Sequence, residues 1–301
     1  MTIKDFLLAC IVILAWGVNF VVIKFGVQDI PPFLLGCLRF VFVVFPAIFF
    51  IKRPPVPLRL ILGYGLAISF GQFSLLFFAM HLGMPTGIAS LALQAQVFFT
   101  LLLGVLFLKE NMKIQHIIGM LVASVGLVIL AVSKAGMNSH VPLIPFLFIL
   151  AAALSWAIGN ICNKVILKHA NVNALSLVVW AGLVPIIPFF LCSVWLDGMD
   201  KISNSLIHIQ AKDIFVVFYL SIVCSLIGYG LWGYLLNKYE TWRVAPLTLL
   251  IPVVGLITGF LVLGERLSYA QYIGVFVIGV GLCINMFGQR LFARFRRKQT
   301  S

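Results

Sequence analysis

Acidic residues are scarce in this chain: eight in 301 positions, against 21 Lys and Arg, with only 10% of all residues charged. A soluble domain carries about 25% charged residues, so that class is excluded. The eight acids (Asp5, Asp29, Glu110, Asp197, Asp200, Asp213, Glu240, Glu265) all fall at the ends of apolar runs or between them. No carboxylate is therefore placed for a proton relay at mid-membrane, and proton coupling would need an acid at a span end. Exchange or facilitated movement would need none. The chain also lacks GxSxG, a Walker A loop, HExxH and any His/Asp pair within an apolar run. That absence argues against an enzyme, a nucleotide-driven pump, a metal site and a bound cofactor. The six cysteines show no CxxC spacing and lie inside apolar runs, so they read as small hydrophobes rather than disulfides or ligands. The basic residues form no continuous patch, which excludes nucleic acid as a partner.

Apolar residues are what the chain has in abundance. They make up 62% of it, with mean hydropathy +1.15. Ten apolar segments can be marked, at about 6–25, 31–51, 58–80, 85–108, 114–132, 142–167, 174–196, 214–236, 244–263 and 269–288. Each is long enough to cross ~30 Å of hydrocarbon as a helix. The first continues past Trp16 to Phe25 without a small-x-small cleavage site, so it reads as a span and not a signal peptide. The expected fold is an all-α integral membrane protein of ten transmembrane helices. With the N-terminus inside, fifteen Lys and Arg fall on the inner side and five on the outer, with Arg39 left within a span. Basic residues resist translocation, so both termini are expected in the cytoplasm. The connection Asp197 to Asp213 is polar and holds the only acidic cluster. The tail Arg290 to Lys298 reads as a basic cytosolic anchor, with anionic lipid as the sharper alternative.

The two halves resemble each other. Trp16 and Lys24, in LAWGVNFVVIK, recur 140 residues later as Trp156 and Lys164, in LSWAIGNICNK. Further on the offset becomes 155, pairing Gly104 with Gly259, Glu110 with Glu265, Gly119 with Gly274 and Gly126 with Gly281. The stretch Pro85 to Glu110 thus has its echo in Thr241 to Glu265. Units of 1–135 and 142–290 follow, with 291–301 as the tail. Five spans is an odd number, so the second unit must insert inverted, a plan that recurs in secondary transporters and is also compatible with a channel.

Polar residues inside the spans mark the candidate site. Arg39 lies eight residues into span two with no acid within helical reach. A cation there costs roughly 2.5 kcal/mol or more on insertion scales, so it should face protein or a water-filled cavity. It reads either as an anchor for a substrate carboxylate or as a structural group, clamping backbone carbonyls or snorkelling. Trp16 and Asn19 share one face of span one; Trp156, Asn160 and Asn163 share one face of span six. Amide-plus-indole faces suit a zwitterionic solute, and they equally suit interhelical hydrogen bonding. Tyr229 and Trp232 offer a similar pair in span eight, and Gln72 sits among small residues in span three. Gln94 and Gln96 lie ~200° apart on span four. Gln94, in line with Thr86 and Ser90, is placed toward substrate, while Gln96 and Thr100 face a neighbouring helix. Pro85, Pro246 and Pro252 are candidate bends, with Thr248 between the last two. Glu110 and Glu265 read as span terminators.

With these residues in hand, the sequence resembles the EamA family of the drug/metabolite transporter superfamily. The likeness runs over nearly all ten spans and is strongest in WGVNFVVIKFG (16–26), GMPTGIASLALQAQVFF (83–99), SLVVWAGLVPIIPFF (176–190) and ETWRVAPLTLLIPVVG (240–255). The resemblance implies two inverted five-helix repeats in the bacterial inner membrane. It also implies export of small amino-acid metabolites, namely O-acetylserine, cysteine and related compounds. Export of other amino acids or metabolites, or a membrane subunit that binds without transporting, are the alternatives. The partners expected are the small-molecule substrate and membrane lipid.

Overall fold

The computed structural model describes residues 1–109, 114–132, 142–169, 172–239, 247–248 and 250–299. Every regular element among them is helical. Span one is α1 (Ile3–Asp29), with Thr2 as N-cap. Span two is α2 (Pro32–Val44), which opens on Pro32, where a missing N–H costs nothing. Span three is α3 (Leu58–Tyr64), a π-helical stretch (Gly65–Gly71) and α4 (Gln72–His81). Span four is α5 (Thr86–Ala92), a 3-10 turn (Leu93–Ala95) and α6 (Gln96–Leu108). Next come α7 (Ile114–Val132), α8 (Leu143–His169), and α9 (Ala174–Gly182) with α10 (Ile186–Asp197) as span seven. Span eight is α12 (Ala211–Phe218), a second π-helical stretch (Tyr219–Ile227) and α13 (Gly228–Lys238). The last two are α14 (Leu250–Leu263) and α15 (Tyr269–Gln299). Among the described residues, seven helices are long and apolar enough to cross a membrane, and three shorter apolar ones coincide with the apolar runs five, nine and ten.

Between spans seven and eight the polar connection contains a helix of its own, α11 (Met199–Ile207). Gly198 turns the chain at φ 80, and Ile202 is buried against the main core, which gives this stretch an apolar side to fold on. The closing helix runs on to Gln299, through the basic residues read as a tail. Of the six cysteines, all free, only Cys37 and Cys224 are buried and Cys283 is exposed. Cysteine behaves as a small hydrophobe, so an apolar helix carries it at half-buried and exposed positions as well.

One continuous apolar core joins spans one to eight and reaches span ten. The neighbours follow a regular scheme. α1 packs on α14 and on span eight, and α8 packs on span four and on span three. α2 packs on α10, α5 on α14, and α7 on α15. Large apolar side chains such as Phe49, Phe50 and Trp195 are exposed around the outside, where hydrocarbon replaces water. Among the glycines, Gly17 lets Val254 of α14 approach where a Cβ would stand 2.4 Å from it, and Gly36 does the same for Phe189 of α10 at 2.5 Å. Small residues at such crossings are how membrane helices gain packing without a hydrophobic driving force.

Candidate functional site

A cavity of about 60 Å³ lies where spans one, two, three, four, six, eight and nine converge. That is room for roughly four to six waters, about the bulk of a small amino-acid metabolite. Its wall brings together seven of the sequence candidates: Trp16, Asn19, Arg39, Gln72, Gln94, Trp156 and Tyr229. Phe20, Phe73, Leu76, Leu93 and Ile251 supply apolar surface, and Ser90 and Cys224 complete the lining.

Arg39 is 2% exposed, so it does not snorkel. Its Nε and Nη2 donate to Ser225 Oγ at 3.3 and 3.0 Å, and that hydroxyl in turn donates to Leu220 O at 2.9 Å. One turn earlier, Ser221 Oγ lies 2.9 Å from Arg39 O and 2.7 Å from Val217 O, fixing the backbone beneath the side chain. The guanidinium carbon stands 4.0 Å from the centroid of Phe73, with Phe40 and Phe77 at 5.8 and 6.0 Å. A desolvated contact of this kind contributes about 2 kcal/mol. No acid pairs with Arg39 among the described residues, and its Nη1 has no partner. A buried cation is thus held in a defined orientation with its charge uncompensated.

Both π-helical stretches adjoin this site. The first ends at Gly71, directly before Gln72; the second carries Cys224 and Ser225. A wider π turn shifts the phase of the residues beyond it and leaves carbonyls open to other donors. Trp16 takes one of them: its Nε1 donates to Cys224 O at 2.9 Å. The indole also packs on Tyr229 and Trp232, with centroids 5.2 and 5.6 Å away. Gly228 makes the room, since a Cβ there would stand 2.6 Å from Trp16 Nε1. Gly228→Ala should therefore push the indole off Cys224. Overpacking of this kind costs about 1–3 kcal/mol, and a fall in transport at unchanged membrane level checks it.

Four candidates stand elsewhere. Asn160 Nδ2 donates to Gln96 Oε1 at 2.9 Å and to Thr100 Oγ1 at 3.1 Å, which joins α8 to α6 away from the cavity. Asn163, one turn further along α8, is half-buried and outside the lining. Trp232 backs Trp16 from behind. Thr248 offers its carbonyl to Gln94 Nε2 at 3.3 Å. Pro85 is the N-cap of α5 and not a bend within it; the break in span four is the 3-10 turn at Leu93. Pro252 is buried as the third residue of α14, and Pro246 lies outside the described residues. Sequence reasoning missed Ser221, Ser225 and Phe73. A pair of serines four apart in an apolar span was the available signal.

The ends of the helices are fastened by acids. Glu265 reaches back from beyond α14 to the start of α5, where Oε1 accepts from Thr86 N at 2.7 Å. Its Oε2 accepts from Thr86 Oγ1 at 2.8 Å and Gly87 N at 3.2 Å. The carboxylate thus satisfies first-turn N–H groups, beyond merely ending its own helix. Beneath it α5 and α14 touch through small residues: Cβ atoms at Gly259, Gly255 and Gly87 would come within 2.6 Å of Thr86, 2.5 Å of Ser90 and 2.7 Å of Leu256. Glu110 lies outside the described residues. At the start of α1, Asp5 Oδ2 accepts from Thr2 Oγ1, Tyr239 Oη and Lys238 Nζ at 2.5, 2.6 and 2.9 Å, tying α1 to the end of α13. Hydrogen bonds to Tyr234 and Asp5 hold Lys238 above the usual lysine range.

A bundle of apolar helices long enough to cross a membrane, converging on a small, largely apolar cavity with a buried cation and amides in its wall, is an architecture suited to a small-solute carrier. Its sequence places it further: the chain belongs to the EamA-like transporter family, whose sequence model matches residues 4–132 and 143–287. It is 51% identical over 290 residues to a "Probable amino-acid metabolite efflux pump" of Salmonella typhimurium, covering 96% of both chains. A protein of the same description from Escherichia coli K12 is 50% identical over 288 residues, covering 95% of this chain and 96% of that one. The "Uncharacterized inner membrane transporter YedA" of the same strain is 25% identical over 284 residues, covering 92% and 89%. A solved crystal structure shares the fold at TM-score 0.63 and 20% identity, over 93% of this chain and 95% of that one. The chain is a multi-pass transporter of the bacterial inner membrane.

Proposed function

We propose that this transporter exports small amino-acid metabolites, O-acetylserine and cysteine among them, by alternating access. One observation carries the reading: Arg39 is buried in the cavity wall, oriented by Ser225 and Phe73, and lacks a counter-ion among the described residues. A substrate carboxylate supplies the missing charge, and Arg presents it a planar donor fork. Two relatives at about half identity are described as amino-acid metabolite efflux pumps, which agrees with a carboxylate-bearing solute.

The moving parts are two inverted five-helix repeats, 1–135 and 142–290, forming ten spans with both termini and the 291–301 tail in the cytoplasm. The neighbour scheme supports this. Span one packs on nine and eight as span six packs on four and three, while spans two and seven, four and nine, and five and ten pair with each other. π-helical stretches occur in the corresponding spans three and eight. Lys109 and Gly264, 155 residues apart, both adopt positive φ, 54 and 65, after α6 and α14. In this topology the Glu265 contact closes the periplasmic side, and it must release for substrate to leave.

Purified protein in liposomes should move O-acetylserine and cysteine down their gradients, and overexpression should raise growth tolerance to both. Movement of other amino acids alone would overturn the substrate assignment; movement of none would favour a binding subunit without transport. Repeating the assay with and without a pH gradient tells coupled from uncoupled export.

A further inference from the structure

Among the described residues, seven buried side-chain nitrogen and oxygen atoms have no hydrogen-bond partner. Three of them, Asn19 Oδ1, Arg39 Nη1 and Gln72 Oε1, belong to side chains that line the same cavity. Arg39 is the cation discussed above. The other two are amide oxygens, 8% and 2% exposed by residue, on α1 and α4. Buried acceptors without donors are rare, because each has given up water for nothing in return. Two in one small cavity, beside Arg39, set the chemistry of the group that the cavity can accept.

We infer that Asn19 and Gln72 form an ammonium receptor, so that the cavity selects a zwitterion with a free α-amino group and not any small carboxylate. This rests on the reading that Arg39 takes the substrate carboxylate. The occupant must bring a negative group to Arg39 and donors to two oxygens. An α-ammonium has three N–H bonds and fills both acceptors with one to spare. The indoles of Trp16 and Trp156, in the same wall, add a face that attracts cationic groups. A lone amine is repelled by Arg39, and a dicarboxylate finds no second cation in the lining. Water satisfies the amides but leaves the guanidinium charge unopposed.

O-acetylserine and N-acetylserine test this directly. They are isomers with the same carboxylate and acetyl group, and only the first keeps an ammonium. In liposomes loaded with unlabelled O-acetylserine, uptake of the external labelled compound by counterflow through the wild-type protein, at mildly acidic pH where the O-to-N acetyl shift is slow, should be inhibited by the N-acetyl isomer roughly tenfold or more weakly than by the O-acetyl one. Gln72→Leu and Asn19→Leu should shrink that ratio toward one by weakening the O-acetyl isomer alone. Thermal shift of the detergent-solubilised protein gives the same ratio for variants that bind without transporting. Equal potency of the isomers on wild-type protein overturns the ammonium receptor and leaves the Arg39 reading standing. A serine ester, which keeps the ammonium and has no carboxylate, separates the two: equal potency of ester and O-acetylserine overturns the Arg39 reading. Binding of neither isomer overturns both.

Discussion

Arg39→Met is expected to abolish export while the protein reaches the membrane at wild-type level and unfolds at an equal or higher temperature. The two halves of that result have separate causes. Removing one member of a buried charge pair costs about 3–5 kcal/mol, and the pair here is completed by substrate. Losing it lowers affinity for a carboxylate by about two to nearly four orders of magnitude. Stability should move the other way. Arg39 is buried with no acid beside it among the described residues, and exchanging buried ionic groups for apolar ones of similar volume is neutral or stabilising by about 1–4 kcal/mol. Met keeps the length and can still pack on Phe73. Ser225 Oγ loses two donors yet retains its own bond to Leu220 O. Arg39→Lys should fall between, keeping charge without the fork to Ser225. Efflux from loaded liposomes and a thermal melt in detergent read the two quantities. Loss of protein from the membrane with Arg39→Met would make Arg39 a structural clamp and sink the anchor.

That Arg39, Asn19, Gln72 and Gln94 were legible has a physical reason. A polar side chain in an apolar span must meet protein or cavity water, so its presence alone restricts its surroundings. The rule does not say which of the two it meets. Asn160 obeyed it by pairing with Gln96 and Thr100, an across-helix match that spacing along one helix cannot reveal. Ser221 and Ser225 gave a weaker signal, because a serine in a helix can satisfy itself on its own backbone, as Ser221 does on Val217 O. Phe73 is one of 27 phenylalanines, and nothing local distinguishes it. The π-helical stretches break the 3.6-residue period, so faces counted across Gly65–Gly71 or Tyr219–Ile227 drift.

The apolar runs were legible because hydrocarbon demands them, and the seven helices long and apolar enough to cross a membrane begin and end close to marked segments. Interruptions within them were not. Span two stops as an α-helix at Val44, where Phe45 and Pro46 end it, although apolar residues continue to Ile51. α11 is not evident from the sequence because its polar residues dominate the average, while Ile202 is its one buried side chain.

Glu265→Gln should open the periplasmic side of the cavity, and Cys224 can report it. This thiol is 1% exposed and lines the cavity wall. With the other five cysteines replaced by Ala, an impermeant thiosulfonate added outside intact cells should label Cys224 roughly ten to a hundred times faster in the variant. The magnitude follows from the contact. Glu265 accepts three hydrogen bonds from Thr86 and Gly87, and a bond to a charged group contributes about 1.5–3 kcal/mol against about 1 for a neutral one. Gln keeps an acceptor oxygen but loses the charge, so the closed form gives up about 1.5–3 kcal/mol, a factor of ten to a hundred and fifty in the closed-to-open ratio. Gly259→Ala should act in the same direction, because its Cβ would stand 2.6 Å from both Glu265 Oε2 and Thr86 Oγ1 and force them apart. Addition of the reagent to inside-out vesicles controls for a general loosening, which would speed labelling from both faces. External labelling at the wild-type rate in both variants would reduce Glu265 to a helix terminator. Faster labelling from outside alone makes it the contact whose rupture lets substrate go.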